Sequence, residues 1–392
     1  MELYRKFIIS IICLIFFYIL FRLILQRFDI YQLNKFSQSA SESFQTQTVN
    51  ELQIANSTKM NLRTFNVNGI TSVNGFTDPA KALQLRQYCI KAAFHPAFDG
   101  NYMSLDMLTY VLSRGCRFLV FEIYWASPTQ LFSPIATTNP NFTNSECPVV
   151  AMSNHPSVPG SNKLALQDVL DMVNQTAFTN VCPNNGDPLF IQLCVKYDKN
   201  KITGPTMYDS VARIIENTVN NTYKGRVTST TPIDKLMGKI VLLMDTRNDN
   251  SFYAADSPKL NNLIHMDFPS NSMQVYVYSD INGASNNNLK ILPGNSEYVT
   301  NARQIDEVLP QSTDVAGNTK SVYMMTTNYS AMNMIFNQGI QITPMLFWKN
   351  DIYLTQYENM FNYGNGGIIP MSRALRYAQQ NNTANVKSMR LP

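Results

Sequence analysis

The 392-residue chain has three histidines, His95, His155 and His265, and two of them stand where chemistry is commonly done. Histidine is the side chain whose proton exchanges near neutral pH, and a histidine beside a carboxylate suits general acid–base work. His95 ends the short apolar run Tyr88–Phe94, and Glu122 lies in a second run, Phe118–Tyr124. Between them a turn-rich loop carries Pro96, Asp99 and Gly100. Ser104 then offers an N-cap to a helix with Leu105, Leu108, Val111 and Leu112 at helical spacing, and Gly115 closes it. A strand–helix–strand unit lays its two strands side by side in parallel. His95 and Glu122 therefore fall at neighbouring carboxyl ends, where barrel enzymes keep their catalytic groups. His155 follows a third apolar run, Pro148–Met152. His265, in NLIHMDF, matches no such position and reads as a structural or surface residue. A single histidine at a strand end is more often a hydrogen-bonded structural side chain than a catalyst, so it is the pair, His95 with His155, that points to catalysis.

The elements that must position these residues continue down the chain. Further strands are expected at Leu189–Val195, Lys239–Met244, Met273–Tyr278, Ser321–Met325 and Ile340–Phe347, with helices at Leu164–Val173 and Tyr208–Val219. The nearly unbroken apolar runs suit strands covered on both faces. Eight strands with helices between several of them predict an α/β fold, a (β/α)8 TIM-type barrel. The stretch Ala126–Cys147, rich in Pro, Thr and Asn, predicts a long loop over part of the barrel mouth.

The first βαβ unit resembles the X region of phosphoinositide-specific phospholipase C, roughly Y-x-I-x-x-S-H-N-T-Y, a serine-led helix, then G-C-R-x-x-E-x-D-x-W. Here it stands as Tyr88, Ile90, His95, Ser104, Gly115-Cys116-Arg117 and Glu122. A second block resembles that family's Y region. It comprises Thr326-Thr327-Asn328-Tyr329, Asn337-Gln338-Gly339-Ile340-Gln341, and Phe361 with Gly366-Gly367, Pro370, Leu375 and Arg376. The resemblance implies a barrel over 80–392, with an X-like part at 80–200 and a Y-like part at 230–377. It implies phosphodiester cleavage in which one histidine stabilises the phosphorane, the other assists proton transfer, and calcium lowers the charge on hydroxyl and phosphate. His95 falls on the first histidine position and His155 within one residue of the second. The site residues are thus His95, His155 and Glu122, with Glu122 orienting a histidine.

The metal positions depart from the family. Pro96 replaces the Asn after the first histidine, Val120 replaces the first carboxylate of the second strand, and Cys194 replaces the carboxylate of L-S-L-E. Glu122 alone remains. Calcium takes six to eight oxygens, commonly several of them from carboxylates, so no metal or other cofactor is expected. The family's phosphate-binding lysines align with Leu243 and Asp245, and its headgroup arginine aligns with Tyr323. A phosphorylated headgroup would lose those cationic partners.

Outside the barrel, Phe7–Leu25 is an apolar run of nineteen residues with one charge, Arg22, near its end. It fits a bilayer span better than a cleaved signal peptide, because no small-x-small site follows. Residues 1–27 are expected to anchor the chain and 28–79, polar and without period, to form a stalk. Basic residues flank both ends of the run, so orientation is open. Six N-glycosylation sequons, at Asn56, Asn141, Asn174, Asn220, Asn328 and Asn381, suggest a lumenal, extracellular or virion-exposed domain, although Asn328 falls inside a motif at a strand end. Asn, Ser and Thr are abundant, as in an AT-rich genome such as many viruses have. Cys89, Cys116 and Cys194 lie in strands or their entrances as buried thiols, and Cys147 and Cys182 flank loops and could pair. A net charge of +4 without a basic cluster is too mild to argue for a nucleic-acid partner, so none is expected, and the sequence names no protein partner.

Two function classes remain. One is a membrane-bound structural or binding barrel that has lost catalysis. The other is a calcium-independent phosphodiesterase acting on a phosphatidylinositol-like lipid through the histidine pair.

Overall fold

A computed structural model describes residues 73–75, 83–128, 146–152, 162–197, 199–200, 202–246, 258–268, 270, 272–277, 299–303, 307–313, 319–324 and 328–388. The chain divides into two units, 1–55 and 56–392, and every described residue lies in the second. The apolar run 7–25, almost all of the 28–79 stretch, most of the 126–147 loop and His155 lie outside the described residues. Among the described residues no helix is long and apolar enough to cross a membrane.

In chain order the elements begin with β1 (Tyr88–Phe94), α1 (Leu105–Ser113), β2 (Phe118–Ala126), β3 (Cys147–Val150), β4 (Leu164–Ala165) and α2 (Leu166–Thr176). They continue with β5 (Leu189–Val195), α3 (Gly204–Thr218), β6 (Ile240–Asp245), α4 (Pro258–Leu263), β7 (Met266–Phe268), β8 (Met273–Val277) and β9 (Val299–Arg303). The last are β10 (Glu307–Thr313), β11 (Thr319–Met324), α5 (Ala331–Gln338), β12 (Ile342–Met345), α6 (Ile352–Gly364), β13 (Ile368–Pro370) and α7 (Met371–Ser388).

Eight strands form one path, β7-β6-β5-β2-β1-β12-β9-β8, and every neighbouring pair in it is parallel. Its two ends, β7 and β8, are consecutive in the chain and in contact. The path therefore returns on itself, as a TIM-type barrel requires. Strands β1, β5 and β6 are buried at every position, the burial expected when helices cover one face and the barrel interior the other. Helix α1 turns Leu105, Met107, Leu108, Val111 and Leu112 inward. Ser104 stands at its N-cap, but its side chain makes no capping hydrogen bond; its backbone N–H donates to the Ala97 carbonyl instead, at 2.6 Å. Helix α3 starts a turn earlier than its apolar spacing indicates, because Thr203 caps it and Pro205 fits its first turn, where an N–H has no partner anyway.

Two expected ring strands lie elsewhere. The Pro148–Met152 run becomes β3, which pairs antiparallel with the far end of β2 and with β4, off the ring. Pro148 has no N–H to give to a second neighbour, which suits this peripheral place. The Ser321–Met325 run becomes β11, paired antiparallel with β10 in a separate two-stranded sheet. The ring places go to β7, of three residues, and β9, VTNAR, neither of which carries an apolar run long enough to announce itself.

The motif residues that carry the resemblance mostly hold backbone together. Arg117 is fully buried and donates to the carbonyls of Ala177 and Asn184. Asn184 donates to the Gly115 carbonyl at 3.2 Å. Gly115 has a φ of +80°, and a Cβ there would meet Val73 at 2.6 Å. A Cβ on Gly367 would meet the Gly115 carbonyl at 2.3 Å, so the two blocks touch where only glycines fit. Gln341 donates to the Arg86 carbonyl at 3.0 Å. Asn328 is fully buried: its Oδ1 accepts from the Leu346 N–H at 2.6 Å, and its Nδ2 donates to the carbonyls of Leu346 and Lys349 at 3.1 and 3.3 Å. A glycan on that nitrogen would break those bonds.

Behind the sheet, Lys91 of β1 carries a fully buried ammonium. It lies 3.3 Å from Glu358 Oε1 of α6 and donates to the Arg114 carbonyl at 2.7 Å. Arg114 grips the same carboxylate with two bonds of 2.8 Å, a bidentate pair. Burial alone would raise the Glu358 pKa. Lys91 and Arg114 outweigh it and hold that pKa below the usual carboxylate value.

Glu358→Gln removes the charge that compensates Lys91 and should cost about 3–5 kcal/mol. Urea unfolding at neutral pH measures this. Because the folded-state pKa of Glu358 is lowered, its contribution is present above the pKa of the unfolded carboxylate and is lost as pH falls through the folded value. The difference between wild type and variant should therefore shrink only below about pH 4.5.

Candidate functional site

The candidate site lies at the carboxyl ends of β1, β2, β5 and β6. His95 follows β1 directly. Its backbone N–H donates to the Val120 carbonyl of β2 at 3.2 Å, which fixes it beside that strand. Its φ of 47° is left-handed, a conformation in which histidine is found more often than most residues. The following loop is held by Asp99, whose Oδ1 accepts from the N–H groups of Asn101 and Tyr102 at 2.8 and 2.7 Å. Asn162 clamps the same loop by accepting from the Met103 N–H at 2.7 Å and donating to the Met103 carbonyl at 2.8 Å. Phe98 packs edge-on against Trp348, ring centroids 5.1 Å apart, which joins this loop to the one that Asn328 holds. The His95 ring is 1% exposed and lies against Phe94.

Glu122 stands directly opposite Cys194 in the parallel pairing of β2 with β5. Parallel register is what brings it to His95: its Oε2 lies 3.9 Å from His95 Nε2, an electrostatic approach longer than a hydrogen bond. The same Oε2 accepts from the Tyr124 hydroxyl at 2.9 Å. The other oxygen, Oε1, lies 2.6 Å from the ammonium of Lys196. Glu122 is 1% exposed, whereas the Lys196 side chain is 29% exposed and brings its charge in from the rim. Further round the ring, Cys194 accepts from Gln192 Nε2 at 3.3 Å and directs its thiol to Asp245 Oδ2 at 3.7 Å.

The structure thus brings together two of the sequence-derived site residues, His95 and Glu122; His155 is outside the described residues. Lys196 and Tyr124 were missed by the sequence reading. Each lies two residues beyond a position it singled out, Cys194 and Glu122, and so on the same strand face, a signal the alternation of strand side chains could have given. Among the described residues no group of three or more His, Cys, Asp or Glu side chains could hold a metal ion. Chemically, the described arrangement offers an imidazole beside a compensated carboxylate, with one partly exposed ammonium.

His265 is structural. Its Nδ1 accepts from the Leu242 N–H at 2.8 Å, so that nitrogen is unprotonated, and Nε2 lies 2.6 Å from the Tyr223 carbonyl, to which it donates. It ties the start of β7 to β6. All five cysteines in the described residues are free, so Cys147 and Cys182 form no pair. The Cys182 thiol instead lies 3.3 Å from the Thr176 carbonyl. Burial pushes the Cys116 thiol up to about 12, where it stays protonated and inert.

No family model matches the sequence, and no curated protein matches it. Among solved structures, the chain is similar to PLC21 of S. officinalis, with 13% identity and a TM-score of 0.49, over 74% of this chain and 37% of that one. PLC21 of L. pealei gives 15% identity and a TM-score of 0.47, over 76% and 38%. The chain therefore spans well under half the length of these two proteins. A calcium-dependent phosphoinositol-specific phospholipase C from Pseudomonas sp. gives 14% identity and a TM-score of 0.40, over 75% of this chain and 98% of that one.

Burial lowers the pKa of His265 below its ordinary value. A lowered folded-state pKa means stability that is present above the unfolded value and lost as pH falls toward the folded one. The urea midpoint should therefore decrease from about pH 6.5 downward. His265→Ala should lower stability at neutral pH by about 1–3 kcal/mol, through the unsatisfied Leu242 N–H and Tyr223 carbonyl, and should flatten the pH slope in that range. An unchanged slope in the variant would remove His265 from the account.

Proposed function

We propose that this chain is a membrane-anchored, phospholipase C-like barrel that has lost calcium-assisted phosphodiester cleavage and serves as a membrane-bound binding or structural protein. The observation that carries this reading is the state of Glu122. Of the positions where the resembled family holds calcium, only Glu122 keeps a carboxylate, and its two oxygens are engaged by Lys196 and Tyr124. Pro96, Val120 and Cys194 supply no oxygen from their side chains. In this reading residues 7–25 span the bilayer once and 28–79 stand the 80–392 barrel off its lumenal, extracellular or virion-exposed face. A phospholipid headgroup is the ligand class that the resemblance suggests.

A second reading, a calcium-independent phosphoric diester hydrolase acting through His95 and His155, draws support from the 3.9 Å approach of His95 to Glu122. Acid–base help from such a pair is worth about 10²–10⁴-fold. A bound metal ion contributes several further kcal/mol of charge stabilisation, so a barrel without one would be slow.

The assay is full-length protein in detergent with phosphatidylinositol and its 4,5-bisphosphate, with calcium or with chelator. The expected result is no calcium-stimulated release of the headgroup. Calcium-dependent turnover lost in His95→Ala would overturn the proposal, and slow calcium-independent turnover lost in both His95→Ala and His155→Ala would establish the second reading. For the anchor, mass spectrometry of the mature protein should find peptides from residues 7–25. A mature N-terminus between about residues 26 and 40 would make that run a signal peptide.

A further inference from the structure

An N-linked glycan is bulky and hydrophilic. The folded protein has room for one only where the asparagine amide faces solvent and is not needed to bond the backbone. The fold separates the sequons at Asn174, Asn220 and Asn328 on that ground. We infer that Asn220 carries a glycan while Asn174 and Asn328 stay bare, a reading that rests on the lumenal, extracellular or virion-exposed placement proposed above.

Asn328 is fully buried, and its amide nitrogen donates to the carbonyls of Leu346 and Lys349. The hydroxyl of its sequon, on Ser330, is occupied as the N-cap of α5, where it accepts from the Asn333 N–H at 3.3 Å. Asn174 is half-buried on α2 and satisfies the end of α3. Its Oδ1 accepts from the Asn220 N–H at 3.4 Å, and its Nδ2 donates to the Thr218 carbonyl. A sugar on Asn174 would have to grow between two helices that pack on each other.

Asn220 is the opposite case. It is exposed, in the turn that leads from the end of α3 to β6, with Asn221, Lys224, Gly225 and Arg226 exposed around it. Asn174 engages its backbone, and its side chain makes no hydrogen bond among the described residues. The turn is nonetheless fixed. Asn221 takes a left-handed φ of 56°, which asparagine tolerates better than most residues. Its carbonyl accepts from the Ile240 N–H at 3.0 Å, and the Tyr223 N–H donates to the Ile240 carbonyl at 2.9 Å. Ile240 is the first residue of β6, so Asn220 lies at the amino ends of the strands. The candidate site lies at their carboxyl ends, and a glycan on Asn220 therefore leaves the mouth clear.

The test uses the full-length chain made in eukaryotic cells, with a flexible tail bearing its own sequon added after Pro392. Trypsin releases residues 214–224, a peptide whose one sequon is at Asn220. After peptide N-glycosidase in heavy-oxygen water, this peptide should show Asn220 deamidated with the heavy label. The peptides holding Asn174 and Asn328 should be unlabelled. Asn220→Gln should remove one glycan from the gel mobility and leave the thermal midpoint of the deglycosylated protein unchanged. Asn174→Ala should leave the mobility alone and lower the midpoint by about 2–4 °C, through the lost hydrogen bonds to the end of α3. A glycosylated tail with a bare Asn220 would overturn the inference alone, as would a glycan on Asn174 or Asn328 in the folded protein. A bare tail together with a bare Asn220 would put the domain outside the lumen and overturn the proposed placement as well.

Discussion

A lysine ammonium inside the wall of a barrel has no water to solvate it, and the structure around Lys91 follows from that constraint. The cost of burying such a charge is several kcal/mol unless a partner is held close. Glu358 supplies the partner from 267 residues further along the chain, and Arg114 locks the carboxylate from its other side. Three elements, β1, the end of α1 and α6, are thereby fixed to one another. The ammonium also lies 5.9 and 6.0 Å from the ring centres of Phe347 and Phe361, so apolar packing and charge compensation meet at one point. Once β1 is fixed in this way, its parallel neighbours on both sides, β2 and β12, are fixed with it.

From β1 the register passes to the mouth. The Val120 carbonyl accepts the His95 N–H, and two residues along the same strand Glu122 comes opposite Cys194. His95, Glu122 and Lys196 come from three neighbouring strands or their ends, so their meeting is a property of the ring. The same charge logic recurs here in miniature. Glu122 is as buried as His95, and it is tolerated because Lys196 and Tyr124 satisfy its oxygens. A carboxylate satisfied from within the chain has little left for a metal ion.

The residues that carry the resemblance divide by task. Gly115, Arg117, Asn328, Gln341 and Gly367 each hold backbone against backbone in places where a different side chain would clash or leave a polar group unsatisfied. The positions that depart from the resembled pattern are Pro96, Val120, Cys194, Leu243, Asp245 and Tyr323. A chain can keep the first set while the second varies and still fold, because apolar replacements such as Val120 and Leu243 pack into the core.

The first strand–helix–strand unit was legible in the amino-acid order, because long apolar runs and helical spacing are local signals. That order also determined that His95 and Glu122 are neighbours, since a right-handed βαβ unit leaves little choice. The structural character of His265 was legible as well. Which strands complete the ring was not legible there and emerges only from the fold. β7 and β9 are short or polar, and a strand's place depends on partners far away in sequence, while β3 and β11 had the composition of ring strands and found antiparallel partners instead. The burial of Lys91 and the compensation of Glu122 by Lys196 likewise emerge only from the fold. An ion pair depends on the reach of a side chain across strands, and no pattern of spacing along one strand records where that side chain ends.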